Sequence, residues 1–325
     1  MNNDYQAWVW HGGDGPLALQ AQTRPLPQPA AGEVLVRNRA IGLNPVDWKV
    51  LDMKVGKAPG VDGAGVVVAV GDGVSHSWLG QRVAYHTSLK REGSFATHTP
   101  LEARALMRIP VNLSETLAAA FPCPALTAWQ ALEKIPTRPG ERLLISGAGG
   151  SVGHWLVQFA RARGFVVDVM CNERHRKALT ALGADGWFPG PLAEGAELSP
   201  ALRHYYFATF DAVNGKHSLR LGDTLRANGH LVSIQDRTES WPCPPFGRAL
   251  SVHEVALGAL HFHGDDRDWR QLTRQGEQLL EDLADGTLVS EAVITRDFSG
   301  LPEQLEALKH RNFSGKLIIQ VKEAS

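Results

Sequence analysis

The sequence has 325 residues, of which 43% are hydrophobic and 21% are charged, a composition typical of globular domains. Its 33 Lys and Arg residues balance 34 Asp and Glu residues, which argues against nucleic acid or an anionic membrane as the main partner, because both attract an excess of basic side chains. The longest apolar stretch, residues 117–129, is interrupted by prolines and is shorter than the roughly 18 residues of a membrane span, so no transmembrane helix is predicted.

Cysteine usage and the N-terminal residues indicate the compartment. Cys123, Cys171 and Cys243 form no CxxC pair, which fits a reducing environment. The first residues carry neither the basic nor the apolar region of a secretory signal. We therefore expect a cytoplasmic protein, and the length predicts roughly two domains.

The first third of the chain has the pattern of short strands. Residues 33–42 alternate apolar and charged side chains, and residues 65–71 form a short apolar run between glycines. Strands of this kind, separated by turn signals, predict an irregular β-barrel. Helical apolar spacing begins near Leu113 and continues to Leu132.

From there, predicted strands alternate with predicted helices. The strands cover 143–146, 165–171, 208–213 and 229–234, and the helices cover 152–160 and 174–182. This alternation predicts an α/β domain with a doubly wound parallel sheet. The tail contains predicted helices over 269–283 and 301–310 and predicted strands over 292–295 and 316–321. Periodicity alone does not assign this tail to either domain.

A glycine-rich loop joins the predicted strand 143–146 to the next helix. Glycines there permit a tight turn and a close approach of the backbone to a pyrophosphate, whose charge meets the N–H groups of the helix N-terminus. The alternative is a flexible turn without a ligand. In its strand–loop–helix context, the loop predicts a dinucleotide site formed by Gly147, Ala148, Gly149, Gly150, Ser151, Val152 and Gly153.

The end of the next predicted strand indicates which dinucleotide binds. Asp168 falls in mid-strand and is barely informative, whereas residues 172–177 follow the strand and include three fixed cations. Because such cations are typical of sites for the 2′-phosphate of NADP, we predict NADPH as the cofactor, with Asn172 and Arg174 among its ligands. Two arguments against this prediction stay open: the basic residues also suit a solvated helix turn, and Glu173 disfavours a phosphate.

Several further segments, in a fixed order along the chain, resemble the medium-chain dehydrogenase/reductase superfamily, and specifically its zinc-independent quinone oxidoreductase-like branch. The matching segments are 40–49, 59–67, 69–73, 80–83, 93–97, 125–129, 147–153 and 182–185. The resemblance implies an α/β fold with a GroES-like β-barrel catalytic domain and a Rossmann domain with a doubly wound parallel sheet. The expected boundaries are 1–118 with 263–325 for the former and 119–262 for the latter.

The resemblance also bears on metals. Zinc members of the superfamily carry Cys and His where this chain has Asn44 and Val61, and only Cys123 falls near a zinc-ligand position. One thiolate cannot hold a catalytic Zn²⁺, which needs three protein ligands, and the short segment 84–92 has no cysteines for a structural zinc. We interpret His261-x-His263 as a strand or loop pair and predict no bound metal.

The implied reaction is NADPH-dependent hydride transfer to a quinone or to the C=C bond of an α,β-unsaturated aldehyde or ketone. By motif position, Asn44 and Thr127 lie near the nicotinamide, and Asp47 orients the loop that carries Asn44. Trp48 stands where enoyl-thioester reductases place a Tyr, so the proton donor stays open: Lys49, which could bind the cofactor ribose or the carbonyl oxygen, is the nearest side-chain alternative, and water is the other. Further cofactor contacts are expected from the carboxyl ends of later strands and from the tail, at Asn214, Ile234, Asn312, Gly315 and Lys316.

Two other functions stay open at this point. The missing Tyr is compatible with a catalytically weak NADPH-binding protein of the same fold. A zinc alcohol dehydrogenase with unusual ligands is the third hypothesis. The resemblance is compatible with a homodimer or a monomer, and the substrate is expected to be a small molecule rather than nucleic acid or a membrane.

Overall fold

The computed structural model describes residues 4–311 and 313–322, and these residues form two compact units. The first unit comprises the chain up to Cys123 and the chain from Gly258 onward, and the second comprises Pro124–Leu257. Among the described residues, no helix is both long enough and apolar enough to cross a membrane.

Fifteen strands and nine α-helices are found in the described part of the chain. The strands are β1 (Asp4–Val9), β2 (Gln20–Pro25), β3 (Glu33–Gly42), β4 (Asp62–Val70), β5 (Arg82–His86), β6 (His98–Glu102), β7 (Leu106–Arg108), β8 (Arg142–Ser146), β9 (Val166–Cys171), β10 (Gly186–Pro189), β11 (Tyr206–Asp211), β12 (Leu225–Ser233), β13 (Ser251–Glu254), β14 (Val293–Asp297) and β15 (Lys316–Gln320). The helices are α1 (Pro45–Lys49), α2 (Glu115–Ala119), α3 (Pro122–Glu133), α4 (Ser151–Ala162), α5 (Arg176–Ala181), α6 (Gly215–Leu221), α7 (Leu260–His263), α8 (Asp266–Ala284) and α9 (Leu301–His310).

The first unit is built on a seven-stranded sheet in the order β14-β15-β3-β4-β5-β7, with β6 also paired to β3. All of these pairs are antiparallel except β14 with β15. In β3 the charged residues Glu33, Arg37 and Arg39 are only partly buried, whereas the apolar residues and Asn38 are buried. Because β15 pairs with β3, the tail belongs to this unit and closes its sheet.

The second unit contains a six-stranded sheet in the order β10-β9-β8-β11-β12-β13, and every pair in it is parallel. Every residue of β11 is buried, as expected for a central strand covered on both faces. The helices between these strands include the amphipathic α4, whose buried side chains include Trp155, Leu156 and Phe159. The structure confirms the predicted α/β class with a parallel sheet.

The predicted elements differ from the observed ones mainly at their ends. The helix predicted over 174–182 starts as a 3₁₀ turn at Glu173–His175, because the Asn172 side chain accepts the N–H of Arg174 and caps that turn. The interpretation of His261 and His263 as a strand or loop pair is wrong, since both lie in α7. There the Gly264 N–H donates to the Leu260 carbonyl and completes one helical turn.

Candidate functional site

The glycine loop of the second unit joins β8 to α4. Gly147 has φ +71°, a conformation that favours glycine, and a Cβ on Gly153 would lie 2.4 Å from backbone atoms of Ala148. The missing side chains therefore let α4 pack directly on the loop. Gly150 is the N-cap of α4 and offers no side-chain acceptor to the N–H groups of the first turn, which leaves them suited to an anion.

Two neighbours of the loop extend this site. The Ser146 hydroxyl, at the end of β8, is buried and has no hydrogen-bond partner within the described ranges. A Cβ on Gly149 would lie 2.3 Å from the His175 ring, so this imidazole packs on the glycine backbone. A glycine backbone in close contact, an uncapped helix N-terminus and an unpaired hydroxyl fit the pyrophosphate of a dinucleotide.

The residues after β9 are connected to the loop through His175. The Arg174 Nε donates to the His175 Nε2 at 3.0 Å, and the Asn172 Oδ1 accepts the Arg174 N–H at 3.1 Å. Both Asn172 and Arg174 are exposed. Arg176 lies over the Trp187 ring instead, 5.0 Å from its centroid. Arg174 is therefore the arginine of this segment that His175 links to the glycine loop.

At the carboxyl end of β11, a buried aspartate and histidine organise the backbone. The Asp211 carboxylate accepts from Nδ1 of His217 at 2.8 Å, and Nε2 of His217 accepts the Leu192 N–H at 3.1 Å, which fixes the neutral Nδ1–H tautomer. Asn214 caps α6 by accepting the His217 N–H at 2.9 Å. The Ile234 N–H donates to the Asp211 carbonyl. Sequence reasoning missed the Asp211–His217 pair, because neither residue stands in a glycine motif.

In the first unit, four polar side chains form a buried group that we call the Asn44 cluster: Asn44, Asp47, Asp62 and Lys316. The Lys316 ammonium donates to the Asn44 Oδ1 at 2.5 Å, and the Asn44 Nδ2 donates to the Asp62 carboxylate at 2.8 Å. Asp47 accepts the backbone N–H of Asn44 at 2.7 Å. The structure thus brings together three residues predicted from the sequence and one, Asp62, that sequence reasoning did not select.

Burial dominates the electrostatics of the Asn44 cluster. Burial raises the pKa of Asp47 to about 7. The hydrogen bond from the Asn44 N–H opposes this rise, and the negative charge of Asp62 adds to it. Burial also raises the pKa of Asp62 to about 7, with Lys316 opposing. Every side chain of the cluster is less than 5% exposed. The two carboxyl groups can therefore hold or release protons near neutral pH, under the influence of the Lys316 charge.

Lys49 lies outside the Asn44 cluster. Its side chain is exposed, and its ammonium is 5.8 Å from the centroid of the Trp48 ring. Trp48 packs against an apolar core that includes Trp10 and Leu51. Of the other predicted contacts, Thr127 is half-buried in α3 and Gly315 adopts φ +109° directly before Lys316, while Asn312 lies outside the described residues.

The three positions of possible zinc ligands carry an amide, Asn44, an apolar side chain, Val61, and a single thiol, Cys123. Asp62 accepts both from the Asn44 amide and from the backbone N–H of Cys123, at 3.0 Å to each oxygen. Over the ranges 4–311 and 313–322, no three His, Cys, Asp or Glu side chains are grouped in the way that a metal ion requires. Independence from zinc remains a prediction.

Comparison with known proteins identifies the family. Residues 30–111 match the alcohol dehydrogenase GroES-like domain. The chain is 31% identical over 236 residues to a chloroplast envelope quinone oxidoreductase homologue of Arabidopsis thaliana, covering 68% of this chain and 72% of that protein. It is 33% identical over 211 residues to a trans-enoyl reductase of Aspergillus flavipes, covering 58% of this chain and 60% of the relative.

Solved structures agree with this assignment over nearly the whole length. An alcohol dehydrogenase superfamily protein from Novosphingobium aromaticivorans superposes with a TM-score of 0.83 at 25% identity, covering 98% of this chain and 100% of the other. The GroES-like match and the parallel sheet of the second unit confirm the fold that the sequence motifs predict. The chain belongs to the quinone oxidoreductase-like branch of the medium-chain dehydrogenase/reductase superfamily.

Proposed function

We propose that this oxidoreductase transfers a hydride from NADPH to a quinone, or to the C=C bond of an α,β-unsaturated aldehyde or ketone, without zinc. The observation that carries the proposal is the bonding of the Asn44 cluster. Lys316 binds Asn44, and Asn44 together with the Cys123 N–H binds the Asp62 carboxylate. The amide of Asn44 and the apolar side chain of Val61 stand where zinc members of the superfamily carry thiolate and imidazole ligands.

The second unit would hold the dinucleotide. The N–H groups of the first turn of α4 are suited to the pyrophosphate, and Arg174, linked to the glycine loop through His175, is suited to the 2′-phosphate. Asn214 and Ile234 are fixed by Asp211 and His217 at the end of the neighbouring strand. When bound, NADPH supplies the hydride.

In the first unit, Lys316, held in place by Asn44, is suited to stabilise the oxygen of the acceptor. Lysine has three N–H donors, and the Asn44 Oδ1 takes one of them. A buried ammonium with remaining donors stabilises negative charge that develops on a carbonyl or quinone oxygen after hydride transfer. Asp47 fixes the Asn44 backbone, so its role is to position this amide.

The names of the relatives support these two classes of acceptor. One relative is called a quinone oxidoreductase homologue and another a trans-enoyl reductase. Both reactions reduce an acceptor that is already electrophilic, so neither requires a Lewis acid. Reduction of a saturated aldehyde would depend more strongly on a metal, because no conjugated system delocalises the charge.

The test is a turnover assay on chelator-treated protein. NADPH and NADH oxidation is measured against quinones, alkenals, enones and saturated aldehydes. We expect chelator-resistant turnover of a quinone or an enone, faster with NADPH. Tight NADPH binding without turnover of any acceptor would favour the binding-protein hypothesis, and activity that returns only with zinc would favour an alcohol dehydrogenase.

Arg174 and Arg176 provide a matched pair for the cofactor preference. Arg174→Ala is expected to raise KM for NADPH about tenfold or more and to leave KM for NADH unchanged, because only NADPH has the 2′-phosphate. Arg176 packs on Trp187, so Arg176→Ala is expected to change neither KM by more than about twofold. Equal effects of the two substitutions would contradict the role of Arg174.

A further inference from the structure

Two histidines from distant parts of the first unit form a stacked pair. His86 ends β5, and His261 lies in α7, 175 positions later, with Nδ1 of His86 3.0 Å from Nε2 of His261. The ring planes are inclined by 26°. His86 is only 5% exposed, whereas His261 is half-buried. The pair therefore connects a partly solvated imidazole to one in the interior.

The inner imidazole lies beside the Asn44 cluster. His86 is paired with Asp62 in the ladder between β4 and β5. Residues directly opposite each other in an antiparallel pair carry their side chains on the same face of the sheet, with Cβ atoms about 5 Å apart. Because Asp62 binds the Asn44 amide, His86 is next to the side chains that we assign to the acceptor oxygen.

A buried lysine lies close to the same pair. Lys54 is 1% exposed, and its ammonium donates to the carbonyl groups of Ser88 at 3.0 Å and Arg91 at 2.5 Å. Burial lowers the pKa of His86 well below its usual value, and the charges of His261 and Lys54 add to this effect. His86 is therefore neutral at pH 7.

His261 faces charges of both signs. Burial lowers its pKa to about 4, Glu102 opposes the change, and Arg104, Arg91 and Lys54 reinforce it. Both rings are thus neutral at pH 7, and the contact between them is an N–H···N hydrogen bond. A neutral imidazole can accept a proton at one nitrogen and release one from the other, which is the property that a proton relay requires.

We propose that His261 and His86 relay the proton of the reduction from solvent to the acceptor. This inference rests on the proposed function, in which the acceptor gains one hydride and one proton. His86 releases the proton on its Nε2 to the α-carbon of the enolate that hydride addition leaves from an enone, and it takes the Nε2 proton of His261 on its Nδ1. His261 then takes a proton from water on its own Nδ1. Water loses one proton in this sequence, both rings end as the Nδ1–H tautomer, and no oxidant or reductant besides NADPH is required.

The second unit contains a matched control for this pair. His230 and His253 lie on β12 and β13, with Nδ1 of His230 3.1 Å from Nε2 of His253 and ring planes inclined by 24°. Both of these rings are half-buried, and no residue of the Asn44 cluster belongs to their unit. Substitution of His253 therefore changes a histidine pair of the same geometry without changing the proposed relay.

The first experiment uses the protein without cofactor. Exchange of the His86 ring proton with water is followed by NMR in protein labelled with nitrogen-15 in histidine. His261→Phe is expected to slow this exchange about tenfold or more, because the proton loses its path through the outer ring. His261→Gln, which keeps a polar partner for His86 but cannot relay, serves if the Phe variant does not fold. Unchanged exchange in both variants would overturn the relay.

The second experiment compares two acceptors. Protonation of carbon is slow, so His261→Gln is expected to lower enone turnover about 100-fold. Quinone turnover should change little, because water protonates oxygen directly. Added imidazole is expected to restore enone turnover in His261→Gly, and His253→Gln should match the wild type with both acceptors. Equal losses for quinone and enone would contradict the relay.

Failure of the relay and failure of the proposed function give different results. If the wild type reduces neither a quinone nor an enone, the proposed function is wrong, whereas the exchange experiment is still informative about the path between the two rings. If the wild type reduces an enone and His261→Gln retains the full rate, the relay alone is wrong.

Discussion

The ammonium group of Lys316 donates a hydrogen bond to the side-chain oxygen of Asn44, which lies 272 positions earlier in the chain, and both side chains are buried. Asn44 directly precedes α1, and Lys316 begins β15, which pairs with β3. The pairing of the two strands therefore fixes this contact. The ammonium is also the cation that faces the carboxyl groups of Asp47 and Asp62.

Removal of this cation is expected to destabilise the protein most at high pH. Lys316→Met leaves Asp47 and Asp62 buried without their counter-charge, which costs about 3 kcal/mol in the free energy of unfolding at pH 8. At pH 5 the two carboxyl groups are protonated, so the cost is smaller. Urea unfolding at both pH values measures the difference. Lys322→Met removes an exposed ion pair with Asp297 and should cost less than about 1 kcal/mol at either pH.

The raised pKa of Asp62 predicts that the protein loses stability as pH rises. Burial raises this pKa from the ordinary value of 3.8 for an aspartate to about 7. Between about pH 4 and pH 7, the unfolded chain releases this proton while the folded chain keeps it, so stability falls as pH rises, by up to about 1.4 kcal/mol per pH unit. Stability of Asp62→Asn relative to the wild type should therefore rise across this window and level off above it.

Asp265 supplies a control of opposite sign. Its carboxylate caps α8, and hydrogen bonds from the backbone of Asp268 and Arg267 lower its pKa. Its contribution is therefore lost as pH falls below about 4, and Asp265→Asn should lose stability relative to the wild type as pH rises through that value. The free energy of unfolding of each variant is measured in urea across this pH range and compared with the wild type. If the differences for Asp62→Asn and Asp265→Asn change in the same direction as pH rises, the pKa of Asp62 is not raised in the folded protein.

Substitutions at two glycines with positive φ distinguish the effect of backbone strain from an effect on ligand binding. Gly147 in the glycine loop has φ +71°, and a Cβ there would lie 3.2 Å from Ala212, whereas Gly140 has φ +85° and open space around it. Both Gly→Ala substitutions are expected to cost about 1–2 kcal/mol in stability. Only Gly147→Ala should also weaken NADPH binding, measured by calorimetry, by about tenfold. Equal affinities of the two variants for NADPH would contradict the proposal that the glycine loop binds the cofactor.

The ion pair between Arg142 and Asp168 is expected to be structural. Arg142 donates to the buried Asp168 carboxylate at 2.7 Å, and the Tyr206 hydroxyl donates to the same group at 2.9 Å. Because Arg142 is about one-third exposed, Arg142→Met should cost only about 1–3 kcal/mol in thermal or urea unfolding. Adding Asp168→Asn should recover part of that loss, and NADPH affinity should stay unchanged in both variants.

Much of the fold follows from local patterns. The strand at 143–146, the glycine loop and the helix after it are visible because strand and helix periodicity change within a few residues. The tail could be assigned only through the family resemblance, because the pairing of Ile318 with Gly42 depends on residues that are remote in sequence.

The parts of the candidate site that the sequence did not predict have weak local signals or none. Asp62 was noticed only as part of a glycine-rich segment, although an acidic residue at the start of an otherwise apolar strand was a usable indication. His261 was compared with its neighbour His263, whereas its contact is with His86 on another strand. Lys49 was selected for its proximity in sequence, but the end of a short helix directs its ammonium towards the Trp48 ring.

The position of β15 also determines the order in which the protein can mature on the ribosome. All strands of the second unit are synthesised before β14 and β15, so that unit has its complete sheet available first. Because β6 pairs only with residues 33–37 of β3, residues 40–42 of β3 stay unpaired on that edge until β15 emerges, and until then Asn44 has no ammonium partner. The nascent chain therefore presents an open strand edge, where chaperones would bind, for the whole time that the second unit is being made.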